Sequence, residues 1–201
     1  VLAVKAAVDR NRSPGQFVLA GSSRFLTVPT LSESLAGRAR IIDLWPFSQG
    51  EVAGGADALV DRLFGATSDL RNLSAPKLDR RAAMERVVLG GFPPVHALPP
   101  QARRDWFDDY RRTLVQRDLT ELRRIRQSVD VPQLIRMSAS LTSQEVIAST
   151  YADALGLAAG TVNDYLALLE VIYVFYRLPG WASSFVSRAK RRPKLHFVDS
   201  G

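Results

Sequence analysis

The sequence predicts a predominantly helical α+β fold. Three observations lead to this. Apolar residues recur at helical spacing over most of the 201 residues. Short continuous apolar or β-branched runs, as buried strands would show, are confined to four places: 17–20, 39–45, 171–178 and 194–198. Proline and glycine punctuate the chain often enough to keep every element short.

The elements follow in order. In residues 1–12, Val1, Leu2, Val4, Ala7 and Val8 share a face that Lys5, Asp9 and Arg10 avoid, so a helix is expected. Ser13, Pro14 and Gly15 end it. The run 17–20 then reads as a buried parallel strand ending in Gly21, Ser22 and Ser23. Thr30 and Glu33 have the spacing of a capping box, and Gly37 suits the left-handed position that closes the short helix they open. The run 39–45 reads as a second buried strand, stopped by Pro46. Helical signals with glycine-rich gaps extend from Glu51 to Gly91. Phe92-Pro93-Pro94 and Leu98-Pro99-Pro100 bracket an expected linker, because proline removes amide donors. A charged helix starts near Gln101, with Trp106, Phe107, Tyr110 and Leu114 on one face as core. Another helix is expected from Val131 to Ser140. Residues 143–179 read as a helix-turn-helix. Its first helix ends at Leu155, its turn spans 156–160, and its second helix opens at Thr161. The runs 171–178 and 194–198 then supply strands of a wing.

Composition narrows the function classes. There is no cysteine, which excludes disulfide and thiolate chemistry and suits a reducing cytoplasm. The longest aromatic-aliphatic run, 171–176, is far short of the about 20 apolar residues of a membrane span, so a soluble protein without membrane partners is expected. The net charge of +7 invites a nucleic-acid reading. Only four of the 27 basic residues are lysine, however, a skew that a GC-rich coding sequence produces without selection for phosphate binding. His96 and His196 stand alone without ligand spacing, so neither a metal site nor a hydrolytic triad is expected.

Several runs are similar to a known family. The stretches Val1 to Asp9, Gly15 to Ser23, Ser34 to Arg38 and Leu44 to Glu51 resemble bacterial and archaeal AAA-type P-loop ATP-binding proteins. The stretches Gln116 to Leu119, Thr161 to Glu170 and Pro193 to Gly201 resemble the domain of unknown function 4143 appended to them. The resemblance implies that residues 1–92 are the C-terminal part of an ATPase core with a helical lid-like segment. It implies that residues 101–201 are the appended domain. ATP and Mg²⁺ are then cofactors of intact relatives, whose phosphate loop and acidic strand would lie upstream of Val1. A nuclease-like segment would lie downstream of Gly201. A P-loop needs glycine before its lysine, yet Lys5, Lys77, Lys190 and Lys194 follow Val4, Pro76, Ala189 and Pro193. The chain by itself is therefore expected to bind no ATP. The missing ATPase part, or a second copy of the chain, is an expected partner.

No residue is singled out as catalytic. By resemblance, Ser22 and Ser23 are polar sensors of the γ-phosphate, or else an ordinary turn. Arg38 stabilises charge on that phosphate, or else caps a helix end, with Arg40 as the substitute. Asp43 in Ile41-Ile42-Asp43 is set aside as a metal ligand, because the resemblance places it on a later strand. The densest cationic run is Arg188, Lys190, Arg191, Arg192 and Lys194. It is either a nucleic-acid contact or a solvated loop. The helix opened by Thr161 offers only Asn163 as a base reader, beside Asp164 and Glu170. A packing role suits it better than a reading role. The alternative to the ATPase reading is thus a non-enzymatic nucleic-acid-binding or protein-interaction module.

Overall fold

The computed structural model describes residues 2–21, 35–55, 59–65, 78–114 and 130–201. Among these the helices are α1 (Leu2–Arg10), α2 (Gln49–Val52), α3 (Leu59–Phe64), α4 (Arg80–Leu89) and α5 (Pro100–Thr113). They continue with α6 (Val131–Ser140), α7 (Ala148–Leu155), α8 (Ala159–Val171) and α9 (Phe185–Lys190). Strands β1 (Phe175–Leu178) and β2 (Lys194–Phe197) pair antiparallel. The protein is α+β and predominantly helical. The chain divides into two units, residues 1–44 with 113–197 and residues 45–112 with 198–201.

The first unit is built on α8. Val162, Tyr165, Leu166 and Leu169 fall on one helical face and are all buried. Against them lie Tyr151 and Ala152 of α7, and α7 in turn meets α6, whose inner face is Val131, Leu134, Ile135 and Ser138. Two devices end α7. Gly156 adopts a left-handed conformation with φ +65°, and the N–H groups of Gly156 and Leu157 both bond to the Ala152 carbonyl. Helix α8 starts at Ala159, two residues before the expected Thr161, since Gly160 is tolerated in a first turn where it replaces no packing. At the other end the chain turns at Tyr173, which takes φ +58°, and the Val174 N–H bonds back to the Leu169 carbonyl at 3.0 Å. The strand expected over 171–178 is therefore shortened to 175–178.

Strand β1 pairs with β2 in the register Phe175↔Phe197, Tyr176↔His196, Arg177↔Leu195 and Leu178↔Lys194. The Phe175 and Phe197 rings meet edge-on, and Tyr176 stacks on His196. The other edge of β2 is covered as well. Ser143 N–H donates to the Leu195 carbonyl at 2.7 Å, Leu195 N–H to Gln144 at 3.1 Å, and Val146 N–H to Pro193 at 2.9 Å. Residues 143–146 thus act as a third, very short strand that leads into α7. Sequence pattern misses it because four residues are too few to show alternation.

The second unit turns on Gly91. Gly91 donates its N–H to Asp199 Oδ2 at 2.6 Å and accepts from Phe47 N–H at 2.8 Å. A Cβ on Gly91 would collide with the Phe47 backbone. Phe92 then meets Trp106 and Tyr110 at ring distances of 5.4 and 5.0 Å, and Trp106 stacks on Tyr110. Trp106, Phe107 and Tyr110 pack on Phe92 but are only half-buried, so the stripe expected as core is a partly covered face, and α5 has no buried residue. The expected linker over 92–100 is instead a packed 3-10 turn, Pro93–Ala97, in which Val95 is fully buried. Proline blocks the α-helix there, but its fixed φ also suits a tight turn. Asp108–Arg111 and Asp109–Arg112 pairs line the outside of α5, which accounts for its charge.

Two expected strands are absent. Residues 17–20 and 39–45 have extended or irregular backbone with no strand pairing among the described residues. Val18, Ile42 and Leu44 are largely exposed. A parallel strand is stable only with hydrogen-bonded neighbours and covered faces, and these runs have neither. The capping box expected at Thr30 and Glu33 lies outside the described residues.

The α8 core sets two expectations. Leu166→Ala should cost about 2–5 kcal/mol in urea unfolding followed by circular dichroism. Ala167→Ser, on the exposed side of the same helix, should stay within about 0.5 kcal/mol. The second concerns Tyr151. Its phenol is buried, which pushes its ionisation upward, and the neighbouring Ser138 hydroxyl opposes this to a lesser degree. A raised folded pKa contributes stability that is whole below the unfolded value near 10 and is lost as pH rises through the folded one. Alkaline unfolding should therefore begin above pH 10. Tyr151→Phe should remove that part of the pH dependence.

Candidate functional site

The residues singled out in the sequence fall into two places, both in the first unit. The first is the segment after α1. Ser22 and Ser23 lie outside the described residues, so no geometry attaches to them. Arg38 is placed by a turn in which Gly37 takes φ +70° and the Arg38 N–H bonds to the Leu35 carbonyl at 2.9 Å. Its guanidinium does not project freely. Nε donates to Asp9 Oδ1 at 2.6 Å, and Nη1 donates to the Ala36 carbonyl at 3.2 Å. Arg38 and its hydrogen bond hold the Asp9 carboxyl below its ordinary range, with help from the charges of Lys5 and Arg12. The arginine thus has its partner within the chain, a carboxylate from α1. Arg40, the substitute, is exposed. Asp43 accepts a hydrogen bond from the Tyr173 hydroxyl. Among the described residues no cluster of three His, Asp or Glu side chains could hold a metal ion.

The second place is the connection between β1 and β2. Two of the five residues of the cationic run, Arg188 and Lys190, are helical rather than loop. Ser184 caps α9 by accepting from Ser187 N–H at 3.1 Å, and Arg188 lies within that helix. Arg188 Nε is occupied by the Ala182 carbonyl at 2.7 Å, and Ala182 is itself buried. Arg191 packs its stem on Gly180, so closely that a Cβ there would come within 2.7 Å of Arg191 Cβ. Lys190, Arg191, Arg192 and Lys194 are exposed, the last from within β2. Sequence reasoning overlooked the apolar part of this loop. Trp181, Phe185 and Val186 are 75%, 85% and 63% exposed. The signal was available: no acidic residue occurs from Val171 to Val198, and the aromatics sit inside that acid-free stretch.

Helix α8 presents little chemistry. Glu170 accepts from the Arg177 backbone N–H at 3.0 Å and from its guanidinium at 2.8 Å, so this acid is neutralised by β1. Asn163, Asp164 and Ala167 remain on the exposed side, without a cation. No helix among the described residues is long and apolar enough to cross a membrane.

Comparison with known proteins defines the class. Residues 1–53 match the AAA domain, which supports an AAA-type ATPase relationship for this part of the chain. Residues 80–201 match a family described as Domain of unknown function (DUF8612). That match takes in more than half of the sequence, and the chain belongs to that family. The appended domain is accordingly this one and not domain 4143, to which its short runs had seemed closest in the sequence. The chain is 26% identical to the uncharacterized protein Mb2031c of Mycobacterium bovis, over 98% of its own length and 39% of the relative's. The same figures hold for the uncharacterized protein Rv2008c of Mycobacterium tuberculosis. The chain therefore spans about two fifths of the curated relatives it matches. No solved structure matches it.

The Arg38–Asp9 pair gives a direct measurement. A carboxylate whose folded pKa is depressed stabilises the fold above its unfolded value of 3.8, and that contribution is lost as pH falls through the folded pKa. Carbon-detected NMR titration should find Asp9 ionising below 3.8 in the native chain. In Arg38→Ala the transition should return to the ordinary range.

Proposed function

We propose that this chain is the sensing end of an AAA-type ATP-binding protein, followed by a non-enzymatic domain with a winged-helix-like element. The AAA match over residues 1–53 carries the first half of the reading. Within it, Arg38 follows a left-handed glycine and ends in a carboxylate, an anion it can exchange for another. When bound, ATP·Mg²⁺ supplies the γ-phosphate, and an arginine near it stabilises the charge that builds up during transfer. In this reading Arg38 leaves Asp9 for that phosphate, Asp9 holds the guanidinium in reserve, and Ser22 and Ser23 are the polar sensors that the family resemblance implies. The grip on the phosphates comes from a glycine-rich loop outside these 201 residues, since none of the four lysines follows a glycine. The greater length of the mycobacterial relatives supports this.

The second half rests on residues 143–197. Helix α7, a three-residue turn and α8 are followed by an antiparallel pair whose free edge is covered by residues 143–146. That order supports a winged-helix-like reading, and the buried face of α8, with no cation on its exposed side, favours packing over base reading.

Calorimetric titration tests the proposal. The 201-residue chain should give no saturable heat with ATP·Mg²⁺, while the full-length mycobacterial relative should bind it in the micromolar range typical of nucleotide sites. Micromolar binding by the short chain would show that it needs no outside loop. A relative that fails to bind ATP would overturn the ATPase reading altogether.

A further inference from the structure

The connection between β1 and β2 brings together two properties. It carries Arg188, Lys190, Arg191, Arg192 and Lys194 with no carboxylate from residue 171 through 198, and it exposes Trp181 and Phe185 almost completely. Other exposed apolar stretches are different. Residues 41–47 include Asp43 and residues 59–64 include Asp61, so their charge does not select an anion. From the loop alone, and independently of the ATPase reading, we propose that it is a binding site for single-stranded nucleic acid. Trp181 and Phe185 would stack on bases, and Lys190, Arg191 and Arg192 would hold phosphates.

Three arguments select this ligand. Phosphates account for the cations but not for the aromatics, which gain from a polyanion only if it offers an open π-face. Unstacked bases offer one, and duplex bases do not. A duplex would also lack a reader, because the exposed side chains of α8 include Asn163 and Asp164 but no cation. A membrane surface would need an amphipathic helix with a substantial apolar face. Helix α9 has six residues, and Phe185 and Val186 are its only large apolar ones.

The loop is also held in shape before any ligand arrives. The Ser184 cap, the Arg188 bond to the Ala182 carbonyl and the contact of Arg191 with Gly180 fix its arms. Trp181 and Phe185 are thereby presented on a short ordered scaffold, which lowers the ordering cost of binding.

Fluorescence anisotropy of the full chain tests this, with no nucleoside triphosphate present, so that its failure is separate from that of the ATPase reading. The probe is a fluorescein-labelled oligothymidylate of about 20 nucleotides, compared with its duplex with oligoadenylate. The single strand should bind more tightly than the duplex, and Trp fluorescence should be quenched on binding. Trp181→Ala and Phe185→Ala should each weaken single-strand binding by about fivefold or more without changing its salt slope. Joint replacement of Arg191 and Arg192 by alanine should flatten the slope of log K against log salt by about 1.4. Both aromatics are exposed, so these variants should keep the far-ultraviolet circular dichroism of the parent. Equal affinity for duplex and single strand, with neutral aromatic variants, would reduce the loop to a plain cationic patch and overturn the proposal. Binding to phosphatidylserine vesicles with none to the oligonucleotide would overturn it in favour of a membrane surface. No binding to either would overturn it as well.

Discussion

A backbone amide withdrawn from water must find a partner, and the described strands and helices form where that condition is met. Leu195 shows it most clearly. It is fully buried, and β2 around it is bonded on one edge to β1 and on the other to residues 143–146. That double pairing ties the start of α7 to the end of the chain's first unit, and α8 closes over the result with Leu166 and Leu169. The same condition explains what does not form. The apolar runs 17–20 and 39–45 have the composition of buried strands but no paired edge among the described residues, and their side chains stay exposed.

The helices were legible in the sequence because their signals are local. The helix expected over 131–140 forms as α6, whereas the equally local caps Asp130 on α6 and Ser48 with Glu51 on α2 went unread in the sequence. Gly156 marks the end of α7 by a signal of the same local kind. The turn at Tyr173 was not legible, since nothing about a tyrosine announces a positive φ. It is held from a distance by a hydrogen bond to Asp43. The proline-rich stretch 92–100 was misread for a related cause. Its composition states what it cannot be, a helix interior, but not that Val95 is fully buried within it.

The candidate sites show a similar division. Arg38 stood out by its place after Gly37, yet only three dimensions show that Asp9, twenty-nine positions earlier, takes its guanidinium. The cationic run stood out as a count of charges. What a count cannot show is how those charges are spent: Arg188 is bound to a carbonyl, and Arg177 and Glu170 neutralise each other. Nor can it show that neighbouring aromatics face outward. Charge patterning along a chain reports inventory, and exposure decides availability.

The contact between Gly180 and Arg191 has a consequence of its own. It brings together the two arms of the connection only a few residues beyond the end of the sheet, so the hairpin register is fixed before the tip begins. The tip is in effect a cassette on a closed clasp. Residues 183–187 can change composition without disturbing β1 or β2, whereas Ala182 is buried and its carbonyl holds Arg188. Within the family, diversification of ligand should therefore be concentrated in that cassette, while the clasp keeps a residue without a side chain at position 180.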